Sequence, residues 1–245
     1  MKPRVGFFSF SCCEGCGLQV LNLEDEILDL LGFIEIVNFR EAMTEKSDDY
    51  DIAFVEGSIT APEQEQTLKK IRKNAKVLVA IGACATHGGV NRIRNFQSLE
   101  DARSYVYGDK AQWFPAVPTK ALHEVADVDL KIFGCPISKS DFLENVKAVL
   151  AGQVPVPLTY PVCVKCRLND NVCLFEKGQF CLGPVTRAGC DPMCPDVGAR
   201  CLGCRGLVDD PATNGEKNIL QKHGLSVDEV LRQFRFFHGY AEEGK

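Results

Sequence analysis

Short apolar runs alternate with helical patterns through the first 150 residues of the chain. The runs that we predict to be buried strands span 5–10, 34–39, 52–55, 77–81 and 129–133. The predicted helices are 18–31, a stretch that begins at Pro62, and 140–150, which has Ser138 or Ser140 as its cap. Continuous apolar strands separated by helices are typical of a parallel sheet that helices cover on both faces. The first part of the chain is therefore expected to have an α/β fold.

The pattern changes near residue 150, where cysteine, glycine and proline replace the long apolar periods. Pro155, Pro157 and Pro161 are too closely spaced for a helix or a central strand, so this segment is predicted to be a connector. The following segment, 163–207, shows no long apolar period, and bound metal must hold it together. A last helix is predicted over 227–236. The expected domains are a sheet domain at 1–152, a cysteine-rich domain at 153–208 and a C-terminal helical extension at 209–245.

Apart from its cysteines, the chain has the composition of an ordinary globular protein. Apolar residues make up 45% of it, and the net charge of −5 does not favour a nucleic-acid-binding protein. The sequence has no apolar stretch typical of a membrane span or a secretory signal, so we expect a cytoplasmic protein. Thiols stay reduced in the cytoplasm, and the 13 cysteines therefore indicate metal binding rather than disulfides.

Four of the cysteines follow predicted strands. Cys13 and Cys16 form a C-x-x-C pair after the first strand, Cys84 follows the fourth strand and Cys135 follows the fifth. The carboxyl ends of parallel strands meet at one edge of a sheet, so the four thiolates should converge there. Four thiolates fit either zinc or an iron–sulfur cluster. One close pair with two distant single cysteines favours the cluster, because zinc sites usually take two close pairs from one short segment.

The eight later cysteines divide most simply into two groups of four in chain order. The first group is Cys163, Cys166, Cys173 and Cys181, and the second is Cys190, Cys194, Cys201 and Cys204. Interleaved ligation is an alternative, since two-cluster ferredoxins exchange their fourth ligand. A zinc ribbon built from two of the close pairs would leave four cysteines unexplained. We therefore predict two more clusters, which makes three 4Fe–4S clusters in the whole chain.

The motifs around these cysteines resemble those of the small, electron-transferring subunit of nickel–iron hydrogenases. In the first domain they are S-C-C-E-G-C-G after the first strand, F-V-E-G-S at 54–58, I-G-A-C-A at 81–85 and G-C-P at 134–136. In the second they are P-V-C-V-K-C-R-L-N, C-L-G-P-V-T-R-A-G-C and C-L-G-C-R-G, which resemble the cytosolic, multimeric class that includes sulfhydrogenase delta subunits. The resemblance covers 3–208, and the motifs agree in order and spacing.

The resemblance implies a flavodoxin-like domain followed by a small, ferredoxin-like iron–sulfur domain. The implied ligands of the proximal cluster are Cys13, Cys16, Cys84 and Cys135. The block at 163–181 would hold the distal cluster and the block at 190–204 the medial one. The nickel–iron centre would belong to the hydrogenase large subunit, because this chain has no candidate nickel ligands. A flavin- or iron–sulfur-bearing subunit would be the other redox partner, and the basic residues Lys165, Arg167 and Lys177 would suit its docking or simply be solvated.

Two alternatives remain at this point. The tandem Cys12–Cys13 resembles the 20 kDa-type subunit of complex I, which belongs to the same superfamily and ligates its cluster with adjacent cysteines. Cys16 favours the hydrogenase pattern, in which Cys12 is the spare thirteenth cysteine, and the complex I subunits lack the eight-cysteine domain. A non-redox, zinc-stabilised assembly module is the other alternative. Glu14, Glu56 and His87 lie close to the first cysteine set, where capping or solvation is a commoner role than proton relay.

Overall fold

The computed structural model describes residues 2–238 and divides into two compact units, Met1–Pro155 and Val156–Lys245. The first unit contains a five-stranded sheet. Its strands are β1 (Arg4–Ser9), β2 (Glu35–Phe39), β3 (Ile52–Glu56), β4 (Val77–Ile81) and β5 (Leu130–Ile132). They lie in the order β2-β1-β3-β4-β5, and every neighbouring pair is parallel. This is the flavodoxin-like strand order, so the predicted fold class is confirmed.

Helices cover both faces of this sheet. They are α1 (Gly15–Leu21), α2 (Asp25–Leu31), α3 (Pro62–Asn74), α4 (Gly82–His87), α5 (Leu99–Tyr107) and α6 (Lys139–Leu150), with 3₁₀ turns at Val90–Phe96, Gly108–Trp113 and Leu122–Glu124. Successive residues of a strand point to opposite faces. Accordingly, Phe54 of β3 packs against Phe142 of α6, with ring centroids 5.4 Å apart, whereas Ala53 packs in a cluster with Leu68 and Ile71 of α3. Burial on both faces explains why the strand patterns are continuously apolar.

One predicted helix is wrong, because the segment 18–31 forms two helices instead of one. The chain turns between α1 and α2, where Glu24 adopts a φ of 57°. Leu23 is buried in the turn, and Leu28 of α2 is 67% exposed. The apolar positions of 18–31 therefore belong to two separate helices and do not form one continuous face.

Of the two serines predicted as the cap of α6, Ser138 is the one that caps the helix. Ser138 precedes the helix in extended conformation, and its hydroxyl accepts a hydrogen bond from the Asp141 N–H at 3.1 Å. Ser140 lies inside the helix. A serine at this position satisfies one of the N–H groups that a helix leaves unpaired at its start.

The second unit has little regular secondary structure. Its helices are α7 (Val162–Leu168), α8 (Met193–Asp196), α9 (Thr213–Lys222) and α10 (Val227–His238). The two last helices pack on the cysteine-rich segment through one buried apolar cluster, formed by Leu182, Val185, Leu220, Val230 and Phe234. None of the helices described in 2–238 has the length and apolar character needed to span a membrane.

Candidate functional site

Three loops at the carboxyl edge of the sheet carry the first set of thiols. Cys13 lies in the loop after β1, and Cys16 lies in the first turn of α1. Cys84 lies in α4, which begins directly after β4, and Cys135 lies in the loop after β5. All four predicted residues are thus at the same edge of the sheet, as the parallel order requires.

Gly82 lies where these loops approach one another. It has a φ of 81°, and a Cβ atom at this position would overlap Cys16 Sγ and lie 3.5 Å from the Gly134 carbonyl oxygen. The next residue, Ala83, donates its N–H to the same carbonyl at 2.6 Å. Only glycine combines this backbone conformation with the required space. The approach of α4 to the other two loops therefore depends on Gly82.

The thiols of the first set are near enough to interact electrostatically. The pKa of Cys84 is raised to about 12, first by burial and then by the neighbouring Cys135 and Cys13. Burial also raises the pKa of Cys16, although an N–H bond from Ile137 to this thiol acts in the opposite direction. Without metal these buried thiols are held in the neutral form, so metal binding must displace their protons.

Glu56 holds the beginning of α1 in place. This buried carboxylate, at the end of β3, accepts hydrogen bonds from the N–H groups of Cys16 and Gly17, both at 3.3 Å. The Cys12 thiol donates a further hydrogen bond to it, and burial raises the pKa of Glu56. Glu14, by contrast, is partly exposed and forms an ion pair with Arg40. Of the two predicted acidic residues, Glu56 is the one in contact with the backbone of the thiol loop.

The second set of thiols surrounds the start of α7. The pKa of Cys163 is raised to about 12, first by burial and then by Cys181, Cys166 and Cys173, so all four predicted members are neighbours. Gly183 lies between two of them, because a Cβ at this position would be 3.1 Å from Cys163 Sγ and 3.4 Å from Cys181 Sγ.

The third set surrounds Cys190. Burial raises the pKa of this thiol to about 11, Arg205 lowers it, and Cys204 and Cys194 raise it. The fourth predicted member, Cys201, is buried, and its neighbours include Cys204. The structure therefore brings the predicted members of this set together.

Cys201 lies next to both sets of the second unit. Its N–H donates to Cys181 Sγ at 3.4 Å, as does the N–H of Gly183, and its carbonyl accepts from Leu182 at 2.9 Å. Its thiol has Cys181 and Cys204 as neighbours. Cys201 is therefore the residue at which the two groups meet, since it neighbours a member of each.

The surroundings of the three sets fit iron–sulfur clusters. A cubane takes one thiolate at each of its four irons. Backbone N–H groups that point at sulfur, such as those of Gly183 and Cys201, are typical cluster neighbours. Four thiols in each set supply the ligands that one cubane needs.

Two charged residues beside the later sets were not predicted. Arg205 is 4% exposed and follows Cys204 directly. Glu216 of α9 is 2% exposed, and burial raises its pKa to about 7. The charge of Glu216 is among the causes that raise the pKa of Cys163. Arg205 could have been noticed in the motif C-L-G-C-R-G, where it directly follows a proposed ligand. The turn-like segment that includes Glu216 has no pattern that marks this residue as buried.

Comparison with known proteins gives matches over the first unit and over the whole chain. The family model described as NADH ubiquinone oxidoreductase, 20 Kd subunit, matches residues 13–149. The delta subunit of sulfhydrogenase 2 from Pyrococcus furiosus is 36% identical over 236 residues, which cover 96% of this chain and 98% of that protein. One of the subunits of the vhu F420-non-reducing hydrogenase from Methanocaldococcus jannaschii is 31% identical over 263 residues, which cover 94% of this chain and 91% of that protein.

Comparison with solved structures also gives a match to a hydrogenase chain. A chain in the crystal structure of an NAD+-reducing NiFe-hydrogenase in the H2-reduced state superposes with a TM-score of 0.59 at 25% sequence identity. The match covers 64% of the present chain and 95% of that chain.

Proposed function

The chain belongs to the family of the NADH ubiquinone oxidoreductase 20 Kd subunit, and along its whole length to the hydrogenase subunits of that family, so we propose that it is an electron-transfer subunit. The resemblance to hydrogenase small subunits is confirmed. The chain is a subunit of an oxidoreductase that acts on hydrogen, and the catalytic centre lies in a partner subunit. Its proposed task is to relay electrons between the nickel–iron centre of the large subunit and a flavin- or iron–sulfur-bearing partner.

The observation that carries this proposal is the grouping of twelve cysteines into three sets of four neighbouring thiols. In the proposed assignment, the first set holds the proximal 4Fe–4S cluster, the block at 163–181 the distal cluster and the block at 190–204 the medial one. Bound clusters of this type supply one-electron redox chemistry, and the protein adjusts their potentials through hydrogen bonds, burial and charge. The predicted domain limits, 1–152, 153–208 and 209–245, separate the proximal set from the other two.

We also propose that the complex works in the cytoplasm. Support comes from the chemistry of the thiols: all 13 cysteines lie within the described residues, and none of them forms a disulfide there. Reduced thiols in this number suit a reducing compartment and remain available as ligands.

A complex I-related subunit is the second candidate function. The family match over 13–149 favours it, as does the tandem Cys12–Cys13. That match ends before the eight cysteines of the second unit, whereas the relatives that cover about nine tenths of this chain or more are hydrogenase subunits. The hydrogenase assignment is therefore the better supported of the two.

Metal analysis of the anaerobically purified complex tests the three-cluster proposal. We expect this chain to contribute roughly twelve iron and twelve sulfide ions, beyond the iron of the nickel–iron centre and of any iron–sulfur partner, and the protein to show broad visible absorption and a brown colour. The double variant C163S/C181S should lose about four of the irons, because it removes two ligands of one set. Stoichiometric zinc in a colourless protein would support the assembly module instead, and about four irons in the unmodified chain would contradict three clusters.

A further inference from the structure

Arg205 is a buried cation in the second unit. It is 4% exposed, and it directly follows Cys204, a proposed ligand. Arginine is almost never fully buried unless its charge is compensated. The position of its guanidinium therefore decides which groups its charge acts on.

The backbone just before Cys190 holds the guanidinium in place. Arg205 Nε donates to the Ala188 carbonyl oxygen at 2.8 Å. At Gly189, which has a φ of 114°, a Cβ atom would lie 2.9 Å from Arg205 Cζ and 3.3 Å from Nε. The missing side chain of Gly189 thus makes the space that the guanidinium fills. A buried hydrogen bond and a matching glycine fix the cation against the residue that precedes Cys190.

The guanidinium therefore belongs to the surroundings of the third set. It packs on Gly189, which directly precedes Cys190, and its own residue directly follows Cys204. A charge held at this place acts on the sulfur atoms of that set.

We propose that Arg205 is a positioning residue that raises the reduction potential of the cluster bound by Cys190, Cys194, Cys201 and Cys204. This inference rests on the proposed function, since it requires a cluster in that set. Reduction adds one negative charge to the cluster, and a fixed, buried cation stabilises the reduced form more than the oxidised form. Guanidinium keeps its charge throughout the accessible pH range, so its effect does not depend on pH.

Redox titration of the purified hydrogenase complex, followed by electron paramagnetic resonance, tests this inference. Arg205→Met should shift the oxidised-to-reduced ratio of one cluster at least tenfold toward the oxidised form at fixed potential, which equals about 59 mV for a one-electron couple. Arg205→Lys, which keeps the charge, should shift it less. The signal that moves must be the one that Cys190→Ser abolishes or alters, because this assigns it to the set at 190–204.

Arg200→Met is the matched control. Arg200 precedes Cys201 in the same segment, but it is exposed and its guanidinium lies 3.9 Å from the centre of the Phe180 ring. Water and salt screen an exposed charge, so its removal should leave all three midpoints nearly unchanged.

The iron content separates a failure of this inference from a failure of the proposed function. An unchanged midpoint in Arg205→Met with full iron content would overturn the role of Arg205 while the three clusters remain. If the Met variant loses iron, Arg205→Gln and Arg205→Lys decide: a lower midpoint in the Gln variant supports the inference, and equal midpoints overturn it. A low iron content in the unmodified complex would refute the three clusters themselves.

Discussion

Cys12 and Cys13 are adjacent in the chain, yet their surroundings differ. The Cys12 thiol is partly buried, and its single S–H faces two acceptors, the Phe10 carbonyl oxygen at 3.6 Å and the Glu56 carboxylate. Cys13 is exposed, and its sulfur lies 3.3 Å from the position that a Cβ of Gly15 would occupy. Cys12 therefore has protein partners of its own, whereas Cys13 lies at the open side of the thiol set.

This difference predicts that only Cys13 is a ligand. Cys12→Ser should keep all three clusters, because a hydroxyl can donate a hydrogen bond to the same acceptors. Cys13→Ser should damage the proximal cluster alone. Anaerobic electron paramagnetic resonance with iron analysis measures both variants side by side. If Cys12→Ser instead destroys the proximal signal and Cys13→Ser spares it, the ligation is tandem and the complex I-related interpretation gains support.

At the residue scale, the convergence of the first cysteine set could be predicted from the sequence, whereas the burial of charged side chains could not. Cysteines repeat after strands, and the positions of strands follow from apolar runs, so the convergence of the first set could be inferred. The burial of Arg205 or Glu216 depends on the folding of loops without periodicity. Apart from the place of Arg205 directly after Cys204 in C-L-G-C-R-G, the sequence contains no pattern that distinguishes such residues from solvated ones.

At the scale of elements, α1 lacks the usual cap and depends on β3 instead. Its N-cap residue, Glu14, has a φ of 61° and makes no side-chain capping bond. The N–H groups of Cys16 and Gly17 are satisfied by Glu56, the last residue of β3. A carboxylate near a helix N-terminus is also favoured by the helix dipole. The strand therefore fixes the helix that carries one of the proposed ligands.

Glu56→Ala should loosen the start of α1. It leaves two buried N–H groups without their acceptor, and each such loss costs about 1–3 kcal/mol. Amide hydrogen exchange measured by mass spectrometry should become faster across 13–21. Glu56→Gln, which keeps one acceptor oxygen, should have an intermediate effect.

Glu63→Ala on α3 is the control for this experiment. Glu63 is exposed, and surface substitutions of this kind usually change stability by less than about 0.5 kcal/mol. Equal exchange across 13–21 in Glu56→Ala and in the unmodified protein would show that α1 does not need this carboxylate.

The elements that could not be predicted are those whose ends are set by contacts distant in sequence. Apolar runs located all five strands, and apolar periodicity located α10, within a few residues. Pro62 and the charges at the two ends located α3, and a serine cap marked the start of α6. The apolar pattern joined α1 and α2, because the residues between them include no glycine or proline to mark the turn. The start of α1 is fixed by β3, so only the folded sheet reveals where this helix lies.

At the scale of the whole molecule, the exit for electrons depends on where the acceptor docks. Arg167 and Lys177 are exposed and Lys165 is half-buried, and all three lie among the cysteines of the proposed distal set. A basic surface of this kind attracts an acidic redox partner and accelerates its association.

Charge reversal should therefore slow the acceptor reaction without affecting hydrogen chemistry. The variant K165E/R167E should reduce the rate of electron transfer to the physiological acceptor by roughly tenfold at low salt, and the salt dependence of the rate should weaken. Hydrogen–deuterium exchange in the partner's active centre should stay nearly unchanged, because it needs no outgoing electrons. The control K69E/K73E places the same charge change on the exposed face of α3. An equal loss of exchange and acceptor reduction would show that this block is not the exit.

The packing of α10 has a consequence for the biosynthesis of the protein. Cys135, the last ligand proposed for the first set, is made before any cysteine of the second unit, so the first unit can fold while synthesis continues. The loop between Cys181 and Cys190, however, packs through Leu182 and Val185 on α10, whose Phe234 is fully buried. Translation reaches Phe234 only after it has made all the proposed ligands. The second unit should therefore complete its packing later than the first.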